Sequence, residues 1–244
     1  MTQDRNETER LAAADFARAV ADLWRERLGA DLLGIYMIGS LAHGGFSARY
    51  SDIDLAVIAE RGLDGAGLAA LGTDAAKVSE RLAAKLSIFW TDRGFARGRF
   101  PPLDRIDLME RAVTVIERER IRPARPTLAE VRGYLAGPPF ARWAERARQF
   151  IAAGALDPAE RKPYMRALLY PARFCYSWLT GDIASNDDAV AFLESDPRHG
   201  LDLGLIGRAL ACRRENRAPD GLFSGRAVLE GQIAAAARLM AENP

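Results

Sequence analysis

"MIGSLAHGGFSARYSDIDLAVIAE", residues 37–60, is the most informative segment of this 244-residue chain. It begins and ends with apolar runs that are typical of strands, and a segment rich in glycine and serine joins them. Asp52 and Asp54 stand two residues apart at the start of the second run, where charged residues are depleted and costly to bury. Residues so spaced on a strand share one face, where two carboxylates repel each other. The pattern therefore predicts a positive partner between them.

The chemistry of these residues points to a magnesium–phosphate site. Two converging carboxylates suit a partly hydrated Mg²⁺, and Gly39-Ser40 would let a phosphate approach backbone N–H groups and a hydroxyl. A phosphate-binding turn beside a pair of carboxylates (the Asp52/Asp54 dyad) that binds Mg²⁺ is the arrangement that nucleotidyl transfer uses. Alone, either the Gly-Ser pair or the Asp pair would be only a turn with solvated side chains, but their combination at this spacing is much rarer.

The segment "GSLAHGGFSARYSDIDL", residues 39–55, resembles the signature of the DNA polymerase β-like nucleotidyltransferase superfamily. With Gly44-Gly45 and Ser51, it looks like the streptomycin/spectinomycin-type aminoglycoside adenylyltransferases. The segment "RALLYPARFCYSWLTGDIASNDDAVAFL", residues 166–193, is similar to the helical-domain segment of those enzymes. Together the two segments cover about a fifth of the chain.

The resemblance implies a small mixed α/β sheet flanked by helices, followed by an α-helical domain that closes over the substrate. It assigns Gly39 and Ser40 to the triphosphate of ATP and Asp52 and Asp54 to Mg²⁺. Ser51 would help to orient the dyad, or would be a plain turn serine.

Two features depart from the family pattern. The family usually has a third carboxylate on a following strand, as metal ligand or general base. The strand "KLSIFWTD" has no acid at its middle, so Asp92 at its end is the candidate base, although a loop-start Asp is favoured; Asp104 and Asp107 rank lower. Asn186 stands where the family offers a lysine to the nucleotide, so it could bond a phosphate without adding charge. Three loop arginines could compensate, although a solvated loop is favoured: Arg93, Arg97 and Arg99.

The acceptor is less well specified by the sequence. Aminoglycosides are polycations and need an acidic pocket. Asp182, Asp187 and Asp188 are acidic, but the last two open a helix, which they would favour without any ligand. The two histidines, His43 and His199, are too distant in sequence for a zinc or Ser-His-Asp constellation and are expected to be ordinary loop residues. The aromatic set on one helix is expected to be mostly core: Phe174, Tyr176 and Trp178.

Bulk composition indicates a globular protein. The net charge of +1 gives no reason to expect a nucleic-acid partner. The two cysteines are too few for a disulfide framework, and no apolar run reaches the ~20 residues of a membrane span. We expect a cytoplasmic protein with no membrane contact.

The periodicity predicts an α/β domain over 1–122 and an all-α domain over 123–244; the resemblance implies that the first binds nucleotide and Mg²⁺ and that the second is the acceptor or lid domain. In the first, helices are expected at 7–29, 74–85 and 105–112, strands at 32–39, 52–59, 86–91 and 113–121, and a flexible connection at 61–72. The helices expected in the second cover 127–136, 140–154, 164–181 with a kink at Pro171, 187–195, 204–215 and 224–242.

The sequence therefore predicts an Mg²⁺-dependent nucleotidyltransferase. It would move a nucleoside monophosphate, with ATP as the expected donor, onto a hydroxyl of a small molecule such as an aminoglycoside and release pyrophosphate. Two alternatives stay open: a weak or inactive nucleotide-binding protein with a regulatory role, and a toxin-type transferase acting on tRNA or protein. The sequence leaves the oligomeric state undefined.

Overall fold

A computed structural model describes residues 2–242, so residue 1 and residues 243–244 of the predicted domains lie outside it. The residue contacts divide the chain into two compact units, one essentially over residues 3–125 and one over 126–244. No helix of the described part is long and apolar enough to cross a membrane.

The first unit is built on a mixed four-stranded sheet with the order β3-β2-β1-β4. β2 pairs parallel with β3 and antiparallel with β1, which also pairs antiparallel with β4. All four predicted strands are present. Their bounds are β1 Leu32–Ile38, β2 Ile53–Ala59, β3 Leu86–Asp92 and β4 Val113–Glu117.

Five helices accompany this sheet. They are α1 Thr2–Leu28, α2 Ser40–His43, α3 Gly65–Val78, α4 Glu80–Ala83 and α5 Pro102–Glu110. Residues of α1 and α3 join one core with one face of β1 and β2, including Trp24, Leu71, Ile35 and Leu55. On the other face, Leu108 of α5 and Phe100 before it pack on Ile38 and Ile58. The sheet is therefore covered on both faces, and the end of β2 that carries Asp54 is placed beside α5.

The flexible connection predicted over 61–72 is wrong. Helix α3 begins at Gly65, and Asp64 caps it by accepting a hydrogen bond from the Gly67 N–H at 2.7 Å. Asp74, at the start of the helix predicted over 74–85, instead lies buried inside α3 and accepts hydrogen bonds from Arg27 and Lys77. The glycines hide the helical spacing of Leu68, Leu71 and Ala75, which pack into the core.

The second unit is helical, as predicted. Its helices are α6 Leu128–Ala136, α7 Pro138–Ala152, α8 Arg161–Thr180, α9 Asn186–Ser195, α10 Leu203–Arg214 and α11 Val228–Glu242. Thr127 caps α6 and forms a capping box with Glu130. Helix α8 is the central element, because it packs against each of the other five.

Pro171 is accommodated inside α8 by a side chain from α7. Proline has no N–H, so the carbonyl of Ala167, four residues earlier, loses its helical donor. The indole N–H of Trp143 donates to that carbonyl at 3.0 Å. The buried backbone group is thereby satisfied, and α8 continues through Pro171.

Candidate functional site

Asp54 is the exception in a buried central strand. Every other residue of β2 is buried, whereas Asp54 is only partly so. It pairs with Ile38 at the end of β1 and with Ser87 of β3. Asp52 immediately precedes β2 and is also partly buried, so it lies outside the strand proper, and a shared face for the two carboxylates remains a prediction. A carboxylate on a strand of such a sheet is costly in free energy unless it is paired or hydrogen-bonded.

Gly39 brings the backbone against the Asp54 carboxylate. Its φ of 66° and ψ of −156° lie in a region essentially restricted to glycine. A Cβ at this position would come within 2.6 Å of Asp54 Oδ2, closer than any real contact. Gly39 therefore lies beside the carboxylate of Asp54. The absence of a side chain at Gly39 leaves room for that carboxylate.

Ser51 organises the loop between α2 and β2. It is buried, and its hydroxyl oxygen accepts hydrogen bonds from the Ser40 hydroxyl at 2.9 Å and from the Ser47 N–H at 3.0 Å. Ser40 and Ser51 are thus brought together, in the same segment as Asp52. These contacts show that Ser51 holds the loop, and a role in orienting the Asp52/Asp54 dyad stays a prediction.

Two side chains that the sequence analysis did not single out also hold this loop. Asn6 of α1 donates to the carbonyl of Phe46 and accepts from the N–H of Ala48, both at 2.9 Å. The Lys85 ammonium donates to the carbonyl of Ala48. The spacing along the chain gives no signal for either contact, because each depends on the packing of distant elements.

Asp107 supplies a further carboxylate, from α5 rather than from a strand. It is buried, and its Oδ2 accepts a hydrogen bond from the Gly39 N–H at 2.7 Å. His43 Nε2 lies 3.8 Å from the same oxygen. Asp54 Oδ2 lies 2.6 Å from the point that a Gly39 Cβ would occupy, and Asp107 Oδ2 lies 2.7 Å from the Gly39 nitrogen. Since covalent bonds are about 1.5 Å long, the two Oδ2 atoms lie within about 8 Å of each other. The sequence analysis ranked Asp107 below Asp92 as the candidate base. In the structure Asp107, and not Asp92, lies close to Gly39.

Asp92, the candidate base, is not brought to the dyad. In the parallel register Asp54 faces Ser87, whereas Asp92 faces Ala59 at the far end of β2. At about 3.3 Å per residue, the two positions are roughly 16 Å apart along the sheet. Asp92 Oδ1 accepts the N–H groups of Ala96 and Arg97, so its role is to close the loop that follows β3.

The three arginines after β3 have partners of their own. Arg93 binds both Glu60 and Glu119, and Arg97 donates to the carbonyl of Arg61. The Arg99 guanidinium lies over the Phe89 ring, 4.9 Å from its centroid. These contacts agree with the favoured prediction of an ordinary surface loop.

In the helical unit, the acids considered for the acceptor serve the helix ends. Asn186 is the first residue of α9, which Ser185 caps. Asp187 pairs with Arg214 at 2.6 Å, and the Asp188 N–H donates to Ser185 Oγ at 3.1 Å. Asp182 Oδ1 accepts the Ile183 N–H at 2.7 Å. The three aspartates therefore have structural partners, whereas phosphate binding by Asn186 stays a prediction.

The remaining candidates are core residues. Phe174 and Trp178 are buried and stack with ring centroids 5.8 Å apart, and Tyr176 packs edge-on against Phe192. His199, expected to be an ordinary loop residue, is instead buried; its Nδ1 accepts the Leu201 N–H at 2.8 Å, and burial lowers its pKa. These residues stabilise the helical unit.

The chemistry available near Gly39 is that of carboxylates and small polar groups. Among the described residues, no group of three or more His, Cys, Asp or Glu side chains is arranged to hold a metal ion. A hydrated Mg²⁺ needs only one or two protein carboxylates, with water and substrate phosphates as its other ligands. Binding of such an ion by Asp52 and Asp54 stays a prediction.

Comparison with known proteins agrees with this fold. No protein-family model matches the chain, and no curated protein sequence matches it. Among solved structures, it is similar to spectinomycin adenyltransferase AAD(9) from Enterococcus faecialis, crystallised with ATP and spectinomycin. The TM-score is 0.65 at 15% sequence identity, over 93% of this chain and 98% of that chain. The chain therefore has a nucleotidyltransferase-like fold, which is the part of the predicted resemblance that is confirmed.

Proposed function

We propose that this protein is a nucleotidyltransferase that moves AMP from ATP onto a hydroxyl of a small molecule and releases pyrophosphate. The observation that carries the proposal is the contact between Gly39 and Asp54. A glycine-only backbone conformation places the Gly-Ser turn directly against the one partly exposed carboxylate of a buried central strand. The nucleotidyltransferase-like fold supports the same reaction class.

Asp52 and Asp54 are the residues that would hold Mg²⁺, with Ser51 fixing the loop beside them. The ion, when bound, neutralises charge on the triphosphate and helps to align the attacking and leaving oxygens. The chain's own contribution is to keep both carboxylates in place and the Ser40 turn close to them. We assign the triphosphate to Gly39 and Ser40.

Asp92 has no part in the proposed reaction, because it lies at the opposite end of the sheet. The helical unit, predicted as residues 123–244, is proposed to bind the acceptor, with Asn186 as a contact for the nucleotide. An aminoglycoside is the first acceptor to test, since the similar solved structure contains spectinomycin.

The direct test is pyrophosphate release with Mg²⁺, each of the four nucleoside triphosphates and a panel of aminoglycosides that includes streptomycin and spectinomycin. We expect release with ATP and one class of acceptor, and its loss in Asp54→Ala. The Glu110→Gln variant is the matched control, because it removes an exposed carboxylate whose partner is Arg125. Equal release by wild type and Asp54→Ala would contradict the proposal.

One observation favours a second candidate, a nucleotide-binding protein without transfer. β3 offers Ser87, not an acid, opposite Asp54. Under this alternative, the protein would bind Mg²⁺-ATP in an Asp54-dependent manner and release no pyrophosphate with any acceptor.

A further inference from the structure

We propose that Asp107 is a positioning residue of the nucleotide site, which fixes the Gly-Ser turn by accepting a hydrogen bond from the backbone N–H of Gly39. The inference rests on the proposed function and deepens it, because it identifies what keeps the phosphate-binding turn in its binding geometry. Asp107 lies on α5, outside the segment that carries the sequence signature.

Helix α2 needs external support because it is a single turn of four residues, Ser40–His43. Isolated turns of this length are unstable, since few hydrogen bonds offset the ordering of their backbone. Within α2, the N–H groups of Ala42 and His43 donate to the Gly39 carbonyl at 3.0 and 3.1 Å. The turn therefore depends on tertiary contacts, among them the hydrogen bond between the Ser40 and Ser51 hydroxyls and the contact at the Gly39 N–H.

Asp107 provides the contact at Gly39 and also lies near the other end of α2. Oδ2 accepts the Gly39 N–H at 2.7 Å, just before α2, and lies 3.8 Å from Nε2 of His43, its last residue. Hydrogen bonds to a charged acceptor are among the stronger ones, and burial of Asp107 strengthens them further. One buried side chain thus sets the position of the peptide that leads into Ser40.

Helix α5 is itself firmly placed. Leu108, next to Asp107, and Ile106 are both buried, and Leu108 packs on the sheet face that includes Ile38. The Asp107 carboxylate is therefore presented from a rigid element. A site held in this way is preorganised, so nucleotide binding does not have to order the turn.

The test compares Asp107→Asn with Asp107→Ala in the full-length protein. Asparagine keeps an acceptor oxygen at the same position, whereas alanine removes it. We expect the Kd for Mg²⁺-ATP in Asp107→Asn to stay within about threefold of wild type, and that in Asp107→Ala to rise about tenfold or more. Glu110→Gln, on the same helix but less buried, should leave the Kd unchanged.

The same variants are examined by amide hydrogen exchange of isotope-labelled glycine, which needs no nucleotide. Exchange at Gly39 should accelerate in Asp107→Ala and be largely restored in Asp107→Asn. Unchanged exchange in Asp107→Ala would overturn the contact, and faster exchange with an unchanged Kd would overturn its role in binding. A merely structural residue would lower the thermal midpoint without this selective change in Kd.

If Asp107→Ala does not fold, Asp107→Ser takes its place, because the shorter side chain withdraws the acceptor from the Gly39 N–H while a polar group is kept; the Kd should again rise about tenfold. An unchanged Kd in a folded Asp107→Ser would overturn the proposal in that case. Absence of ATP binding by wild type would refute the proposed function and, with it, the role of Asp107 in binding. The exchange measurement would still report the contact itself, so the two failures are distinguishable.

Discussion

At the scale of single residues, the site depends on the absence of a side chain at Gly39. Its positive φ excludes a side chain, and so does Asp54 Oδ2, which lies 2.6 Å from the point that a Cβ would occupy. The Gly-Ser pair was recognisable in the sequence because its spacing from the Asp pair is unusual. The sequence could not give the reason for the glycine, because that reason is a contact between the ends of two strands.

Gly39→Ala should therefore abolish Mg²⁺-ATP binding. The methyl group would displace the Asp54 carboxylate, and the backbone conformation would cost about 1–3 kcal/mol in stability. Titration calorimetry on the folded variant measures the first effect, and chemical denaturation measures the second.

Gly44→Ala is the matched control, since Gly44 also has a positive φ of 95° but no atom within 4 Å of its Cβ position. It should lose stability and keep ATP binding. Loss of binding in both variants would mean that strain in the loop, rather than the approach to Asp54, is what matters.

Asp92→Asn should leave pyrophosphate release within about threefold of wild type, because the residue is roughly 16 Å from Asp54 along the sheet. The amide oxygen can still accept the N–H groups of Ala96 and Arg97, so the loop should keep its conformation. A loss of release of about a hundredfold or more, without unfolding, would restore Asp92 as the base.

At the scale of elements, apolar runs identified all four strands, and helical spacing identified most helices. Two results depended on tertiary structure. Glycines concealed α3, whose stability comes from packing Leu71 and Ala75 in the core. Asp107 was passed over because nothing in the order of the chain places α5 beside Gly39.

The pairing of α1 with α3 can be tested through Asp74. This buried carboxylate accepts hydrogen bonds from Arg27 and from Lys77, and Asp74→Ala should lower the free energy of unfolding by about 2 kcal/mol. Urea denaturation at neutral pH measures the loss. The variant Asp22→Ala removes an exposed partner of Arg25 and should change stability by less than about 0.5 kcal/mol.

The same carboxylate predicts a pH dependence. The hydrogen bond from Arg27 lowers the pKa of Asp74 to about 2, below its unfolded value of about 3.9. The folded state therefore binds the proton less readily, so this stabilisation is complete above about pH 4 and is lost as the pH falls towards about 2. The stability difference between wild type and Asp74→Ala should shrink over that range. A constant difference would show that the charge of Asp74 does not contribute.

At the scale of the whole molecule, the chain divides into two compact units. The contact boundary at Arg125 and Pro126 lies close to the boundary predicted at residue 122, although independent folding of the two parts remains a prediction. The change from strand to helix patterns made this division visible in the sequence, since secondary-structure periodicity needs no knowledge of tertiary contacts.

The helical unit expressed alone, residues 126–244, should fold. Its central helix α8 packs against all five other helices of the unit, and its core includes Tyr164 and Phe174. Circular dichroism should report high helicity and a cooperative thermal transition. A helical spectrum that melts without a cooperative transition would show that the unit depends on the rest of the chain.

The most direct test of the central claim is calorimetric titration of ATP into wild type and Asp54→Asn, with and without Mg²⁺. The account predicts saturable binding by wild type that requires Mg²⁺, weakened about tenfold or more in Asp54→Asn while the thermal midpoint is kept. Equal binding by the two proteins, or no binding by wild type, would contradict a nucleotide site built on Gly39 and Asp54.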